Sequence, residues 1–111
     1  MRNSSYISII SLLLAFASFP TYANENEHLL VIKNHRYEPS ELVVPAGKRV
    51  KLIVDNQDAT AEEFESHDLR VEKIIPGNTK ATIWIGPLKQ GKYSFVGEYH
   101  EDTAQGTLIS E

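Results

Sequence analysis

Two segments of this chain repeat one arrangement, a carboxylate two residues before an imidazole: Glu65-Ser66-His67 and Glu98-Tyr99-His100. Residues i and i+2 of an extended strand point to the same face, so each segment could offer one oxygen and one nitrogen to a metal ion. More acids flank the two segments, namely Glu62, Glu63, Asp68, Glu101 and Asp102. Clustered negative charges are unfavourable unless water or a cation neutralises them, so the pattern favours a cation site. The spacing also allows a second interpretation, two exposed acidic loops that never meet.

The donor atoms available for such a site do not include a thiolate. Cysteine is absent, and the one methionine is Met1. Imidazole nitrogen and carboxylate oxygen suit Cu(II), Zn(II) or iron, and the carboxylates favour the harder ions. The other two histidines, His28 and His35, flank the first predicted strand in polar surroundings, where we expect surface residues rather than ligands.

Length and charge limit the classes of protein to which the chain can belong. Its 111 residues predict one domain. The net charge of −4 disfavours nucleic acids and anionic membrane surfaces as partners. Small exported domains often depend on disulfides. Because this chain has no cysteine, packing alone, or packing with help from a metal, must hold the domain together.

The first 23 residues predict a signal peptide, and residues 24–111 the mature domain. Arg2 precedes an apolar and mostly uncharged run from Tyr6 to Phe19, and a cut after Ala23 leaves small residues at the −3 and −1 positions. The apolar run of about 14 residues is shorter than the roughly 20 that span a bilayer. We therefore expect cleavage and a periplasmic protein, with a retained N-terminal anchor as the alternative.

Short β-prone runs separated by glycine, proline and asparagine predict an all-β protein. About seven strands are expected, at or near residues 29–33, 42–44, 50–54, 69–71, 79–85, 93–96 and 105–109. Only Ala59–Glu65 is rich enough in alanine and glutamate to favour a short helical turn. Strands with one wet face must bury the other face in a second layer, which predicts a β-sandwich. We assign Phe64, Phe95, Trp84 and Tyr93 to the core. Tyr93 also suits a tyrosine corner, with an ordinary buried tyrosine as the alternative.

The segment from Tyr93 to Gly106 resembles the C-terminal signature of the cupredoxins, in which an aromatic residue is followed by Phe, Cys, His and an axial Met. The resemblance implies a Greek-key β-sandwich with His67 and His100 as imidazole ligands. Gly97 stands at the position of the cysteine, and Gln105 stands at the axial position. Gln is accepted as a weak axial ligand in blue copper sites, whereas glycine cannot replace the thiolate. The resemblance therefore implies a metal site that is not a blue electron carrier.

Residues 63–69 and 97–106 further resemble the cupredoxin-like domains of bacterial iron-uptake systems, the EfeO type. This resemblance implies a periplasmic accessory protein that handles copper, iron or both, with an iron permease or another component of the uptake system as partner. Gly97 is expected to leave space that Glu98, Glu63 or Glu65 fills. The implied single metal site draws its ligands from His67, His100, Glu65, Glu98, Glu63, Glu101 and Gln105. Two alternatives stay open, a small ferroxidase and a metal-free β-sandwich interaction domain.

Overall fold

Nine β-strands and one short 3₁₀ helix make up the regular structure of residues 26–111, the part of the chain that this computed structural model describes. The strands are β1 (Glu27–Lys33), β2 (Arg36–Glu38), β3 (Glu41–Val44), β4 (Val50–Asn56), β5 (Glu62–Ser66), β6 (Val71–Ile75), β7 (Thr79–Ile85), β8 (Gly91–Gly97) and β9 (Gln105–Ser110). The 3₁₀ helix, Glu98–His100, follows β8 directly. Within residues 26–111, no helix has the length and apolar character needed to cross a membrane. The predicted signal peptide, residues 1–23, lies outside the described residues.

The strands form two sheets that pack face to face. One sheet has four strands in the order β2-β1-β4-β7, and the other has five in the order β3-β9-β8-β5-β6. β1 pairs in parallel with β4, and β3 pairs in parallel with β9, while the other pairs are antiparallel. This arrangement confirms the predicted all-β sandwich, and it places β5 beside β8, the two strands that lead to the candidate site.

Alternate positions of the strands fill the core between the two sheets. In β4, Val50, Leu52 and Val54 are buried, whereas the residues between them are partly exposed. Phe64 of β5 and Phe95 of β8 are also buried, and their ring centroids lie 5.1 Å apart. Burial of such a side chain contributes about 1.5–3 kcal/mol. Apolar packing of this kind holds together a domain that has no disulfide.

The nine strands include two that the sequence patterns did not predict, β2 and β5. The prediction of a helical turn at Ala59–Glu65 is wrong, because Glu62–Ser66 forms β5 instead. Glu62, Phe64 and Ser66 are buried in alternation, and β5 pairs with β6 on one side and with β8 on the other. These two pairings outweigh the weak helix preference of alanine and glutamate. The sixth strand also begins later than expected, since Arg70 has φ 58° and ends a turn before Val71.

The tyrosine corner is confirmed, whereas the assignment of the tryptophan to the core is wrong. The hydroxyl of Tyr93 donates to the carbonyl of Lys89 at 2.8 Å, across the connection between the two sheets. Trp84 is 51% exposed, because Ile83 and Ile85 on either side of it point inward and turn it to the outer face. The guanidinium of Arg49 lies 4.4 Å from the centroid of the Trp84 ring and covers it there.

Candidate metal centre

Gly97, at the end of β8, leaves a space that a buried carboxylate fills. Gly97 pairs with Phe64 of β5, and Glu62 lies two residues before Phe64 on the same inward face of that strand. A Cβ atom added to Gly97 would lie 2.6 Å from Cδ of Glu62 and 2.7 Å from Cβ of Ala104, closer than carbon atoms can pack. The occupant of this space is therefore Glu62, and not Glu98, Glu63 or Glu65 as the sequence led us to expect.

The Glu62 carboxylate is buried, with 2% of its side chain exposed, and both of its oxygens accept hydrogen bonds. Oε1 accepts from the backbone N–H of Glu63 and from that of Tyr99, each at 2.9 Å. Oε2 lies 2.7 Å from Nδ1 of His100. A buried carboxylate is costly unless such donors surround it, so these three contacts account for its place in the core.

The contact with Glu62 fixes the orientation of the His100 imidazole. Because the Glu62 oxygens act as acceptors, we assign the proton of this hydrogen bond to Nδ1 of His100. Nε2 of a neutral ring then keeps its lone pair, and the side chain is 26% exposed, so solvent reaches the ring. Histidines that bind metals usually donate the other ring N–H to a carboxylate in this way. The backbone is held too, since the carbonyl of His100 accepts from the N–H of Ala104 at 2.8 Å.

His35 is partly buried and stacked on His100, whereas the sequence led us to expect a surface residue rather than a ligand. The centroids of the two imidazole rings lie 3.5 Å apart, with an angle of 14° between the planes. His35 belongs to the turn between β1 and β2, where Asn34 and His35 have φ values of 54° and 57°. Glycine and asparagine adopt such values most easily, so a histidine here occupies a backbone conformation that disfavours most side chains.

Asp58 lies between β4 and β5, and its carboxylate accepts hydrogen bonds from the backbone of this turn. Its Oδ1 accepts from the N–H of Asn34 at 2.8 Å, and its Oδ2 accepts from the N–H of His35 at 2.9 Å. Desolvation acts to raise the pKa of Asp58, but the two backbone hydrogen bonds and the nearby imidazoles of His35 and His100 outweigh it. The pKa of Asp58 therefore lies below its usual value. The carboxylate thus places a negative charge beside both imidazoles.

Tyr37 is a buried core residue that experiences the charge of Glu62. Burial, and then the negative charge of Glu62, raise the pKa of the Tyr37 phenol far above its usual value. The hydroxyl donates to the carbonyl of Val96 at 3.2 Å, and the ring meets that of Phe95 edge to face, with centroids 4.9 Å apart. Tyr37 therefore remains a neutral donor within the core.

Three carboxylates form a group of their own, and Glu63 among them points to the face of β5 opposite to Glu62. Oxygen atoms of Glu63, Glu72 and Glu98 all lie within 4.8 Å of one another. Desolvation, and then the charges of Glu72, Glu98 and Glu62, raise the pKa of Glu63. Oxygen donors so arranged suit a hard cation, and a cation would relieve their mutual repulsion. Glu63 and Glu98 were among the predicted ligands, whereas Glu72 was not.

The two histidines predicted as joint ligands do not lie together. β5 runs from Glu62, beside His100, to Ser66, and His67 follows Ser66 at the far end. Five residues of extended chain span roughly 16 Å. The His67 side chain is 94% exposed, and its nearest acid is Glu65, with Nε2 and Oε2 3.7 Å apart. The other two predicted ligands are also exposed: Glu101 lies in the connection from β8 to β9 and Gln105 begins β9, and the Gln105 amide donates to the Glu101 carbonyl at 2.8 Å.

Three residues of this region were missing from the predicted ligand set: Glu62, His35 and Glu72. Glu62 had been noted only as one of several flanking acids. A pattern that could have found it is the alternation of Glu62, Phe64 and Ser66, which puts the acid on the face of an inward-pointing phenylalanine. No comparable sequence pattern connects His35 to His100, because 65 positions separate them along the chain.

The sequence matches a known family of proteins. Residues 6–110 match the family described as the cupredoxin-like domain, and the chain belongs to that family. It is also 45% identical, over 92 residues, to an uncharacterized protein of Rickettsia prowazekii (strain Madrid E), a match that covers 81% of this chain and 74% of that protein.

Several solved structures share the fold at low sequence identity. Auracyanin A of Chloroflexus aurantiacus, a "blue" copper protein, aligns with a TM-score of 0.65 at 14% identity, over 77% of this chain and 98% of that one. Amicyanin of Paracoccus versutus aligns with a TM-score of 0.62 at 16% identity, over 86% and 87% of the two chains. The purple cupredoxin of Nitrosopumilus maritimus aligns with a TM-score of 0.58 at 16% identity, over 75% and 98%. At these identities the likeness establishes the fold.

A blue copper centre does not fit the residues of this chain. Such a centre needs a thiolate ligand, and the sequence contains no cysteine. The space beside Gly97 holds the Glu62 carboxylate, whose oxygens already accept hydrogen bonds from the protein. The donors that remain are the Nε2 atom of His100 and, as a separate group, the carboxylate oxygens of Glu63, Glu72 and Glu98; both kinds of donor fit a borderline or hard ion.

Proposed function

We propose that this protein binds a single Cu(II) or iron ion through His100 and neighbouring carboxylates, as a cupredoxin-like protein without blue copper. The observation that carries this proposal is the contact between Glu62 and His100. A buried carboxylate accepts from Nδ1 at 2.7 Å and leaves Nε2 of a partly exposed imidazole as the free nitrogen donor. That is how proteins usually prepare a histidine for a metal ion.

The carboxylates of Glu63 and Glu98 are the oxygen donors closest in sequence to this pair. Glu63 follows Glu62 directly, and Glu98 begins the 3₁₀ helix that ends at His100. Both belong to the group whose oxygens lie within 4.8 Å of one another. One imidazole with carboxylates favours Cu(II) in intrinsic affinity and accepts iron where iron is the available metal.

We propose further that the protein works in the periplasm as an accessory of an iron-uptake system, with an iron permease as its partner. This role rests on the resemblance of residues 63–69 and 97–106 to the domains of such systems and on the signal peptide predicted at residues 1–23. The donor set is compatible with it, because oxygen ligands accept iron, whereas a thiolate-free site loses the softness that stabilises Cu(I).

Thermal unfolding in the presence of metal tests the binding proposal. A ligand that binds the folded state raises the melting temperature by mass action. We expect added Cu(II) or Fe(III) to raise the melting temperature of the wild type, less so that of Glu98→Gln, and not that of His100→Ala. An equal rise in wild type and His100→Ala would contradict the proposal. The accessory role is tested separately, by copurification of the tagged protein with the permease from membrane extracts.

A further inference from the structure

We propose that His35 supplies a second imidazole to this metal site, so that the ion receives nitrogen ligands from the β1–β2 turn and from the turn after β8. This inference rests on the proposed function, and it concerns the ligand set for a borderline divalent ion such as Cu(II). His35 was expected to be a surface residue, and the cupredoxin signature does not include it. Its assignment comes from its position over His100 and from the contacts that hold it there.

The backbone of His35 is fixed in place from two directions. Its N–H donates to Oδ2 of Asp58 at 2.9 Å, and its carbonyl accepts from the Thr103 hydroxyl. Thr103 lies in the connection that also carries His100, and Asp58 lies in the connection between β4 and β5. Three separate parts of the chain thus meet at His35, and only its side-chain torsions remain free to adjust.

The stacking places two imidazoles side by side, with ring centroids 3.5 Å apart. Two rings this close lie within reach of one ion once their nitrogens are turned toward it. Because Glu62 engages Nδ1 of His100, Nε2 is the atom that faces an incoming ion, and stacking on the ring face leaves its in-plane lone pair free.

Joint binding requires a rotation of the His35 ring. The planes are 14° from parallel, so the lone pairs of the two rings point along parallel planes rather than toward one point. Turning the His35 ring about its side-chain torsions brings a nitrogen toward the ion while the backbone contacts to Asp58 and Thr103 persist. The stacked pair is then the metal-free arrangement.

The turn that holds His35 has positive φ at both of its residues, a conformation in which asparagine and histidine are enriched among residues other than glycine. A two-residue turn with positive φ at both positions favours Asn followed by Gly. Asn34 fits this preference, whereas His35 stands where glycine would be easiest to accommodate. Stacking alone would be a second explanation for an aromatic ring here, so the test must separate a ring that stacks from a ring that binds.

Pulsed electron paramagnetic resonance of the Cu(II) complex makes that separation, because it counts coordinated imidazoles. Purified wild-type protein, His35→Phe, His67→Ala and His100→Ala are each loaded with one equivalent of Cu(II). Phenylalanine keeps a ring that stacks but has no nitrogen, and His67→Ala removes a histidine at the far end of β5. Melting temperatures of the metal-free variants check that each is folded.

We expect two imidazoles in the wild type and in His67→Ala, and one in His35→Phe, with Cu(II) affinity lowered roughly tenfold or more in His35→Phe. A wild-type complex with one imidazole, lost in His100→Ala and kept in His35→Phe, would overturn the assignment of His35 and leave the proposed function standing. Two imidazoles in His35→Phe with one lost in His67→Ala would overturn it in favour of His67. Failure of the folded wild type to bind Cu(II) would overturn the assignment of His35, and failure to bind Fe(III) as well would overturn the proposed function.

Discussion

Oε2 of Glu62 lies 2.7 Å from Nδ1 of His100, although the two residues are 38 positions apart in sequence. The contact joins the first residue of β5 to the last residue of the 3₁₀ helix after β8. Gly97 makes it possible, because a side chain there would collide with the carboxylate. The proposed function rests on this arrangement, in which a carboxylate fills the space beside Gly97.

Replacing Glu62 by glutamine should weaken metal binding while the packing is kept. The side chains have nearly the same shape, but glutamine is neutral and no longer accepts the Nδ1 proton as a charged partner. Loss of such a supporting carboxylate typically lowers metal affinity about 10- to 100-fold. Calorimetric titration with Cu(II) measures the change, with Glu41→Gln, an exposed acid of β3, as the matched control. Equal affinities of Glu62→Gln and wild type would mean that the pair does not prepare His100 for a metal.

Gly97→Ala should destabilise the fold, because its Cβ would meet both Glu62 and Ala104. Overpacking of a filled interior typically costs about 1–3 kcal/mol. Urea unfolding of the metal-free protein measures the loss. The control is the same substitution in a Glu62→Ala background, where we expect a smaller cost because the carboxylate has gone. A cost that is identical in both backgrounds would show that Glu62 does not fill the space beside Gly97.

Asp58→Asn should lower stability at neutral pH and have little effect in acid. The pKa of Asp58 is lower in the folded protein than in the unfolded chain. The stabilisation that the Asp58 carboxylate contributes to the folded state is therefore fully present above the ordinary aspartate pKa of about 4. It is lost as the pH falls through the lower pKa of the folded state. Asparagine can accept only one of the two N–H groups that Asp58 binds, a loss of about 1 kcal/mol. Unfolding of the metal-free protein at pH 7 and at pH 3 checks this. A difference between variant and wild type that grows toward pH 3 would contradict it.

His67→Ala should change neither the stability of the protein nor its affinity for metal. The side chain is 94% exposed, and its 3.7 Å approach to Glu65 is a weak surface ion pair at most. The free energy of unfolding should stay within about 0.5 kcal/mol of that of the wild type. Urea unfolding and Cu(II) calorimetry measure both quantities. A loss of binding comparable to that of His100→Ala would restore His67 to the ligand set that the cupredoxin signature implies.

The fold was largely predictable from the sequence because its strands alternate. Thr79–Ile85 forms β7 with the predicted bounds, and the other predicted strands appear with shifts of a few residues. β5 was missed because its residues favour a helix when considered alone, and only pairing with β6 and β8 makes them a strand. Trp84 was misplaced because hydrophobicity says nothing about which face of a strand a side chain occupies.

The candidate site was predictable only in part, because two of its contacts depend on how distant parts of the chain pack together. His100, Glu63 and Glu98 follow from spacing and resemblance, and the structure gathers the two glutamates with Glu72. The place of Glu62 depended on β5 being a strand, and a one-residue change of register would turn it outward. The position of His35 over His100 is a long-range contact that no local pattern encodes.

Calorimetric titration of the wild type and of His100→Ala with Cu(II), followed by visible absorption of the loaded protein, tests the central claim most directly. We expect one equivalent bound by the wild type, without the intense blue band of a thiolate complex, and binding lost in His100→Ala. Unchanged binding in a folded His100→Ala variant, or no binding of either Cu(II) or Fe(III) by the wild type at micromolar concentrations, would contradict a metal site built around His100.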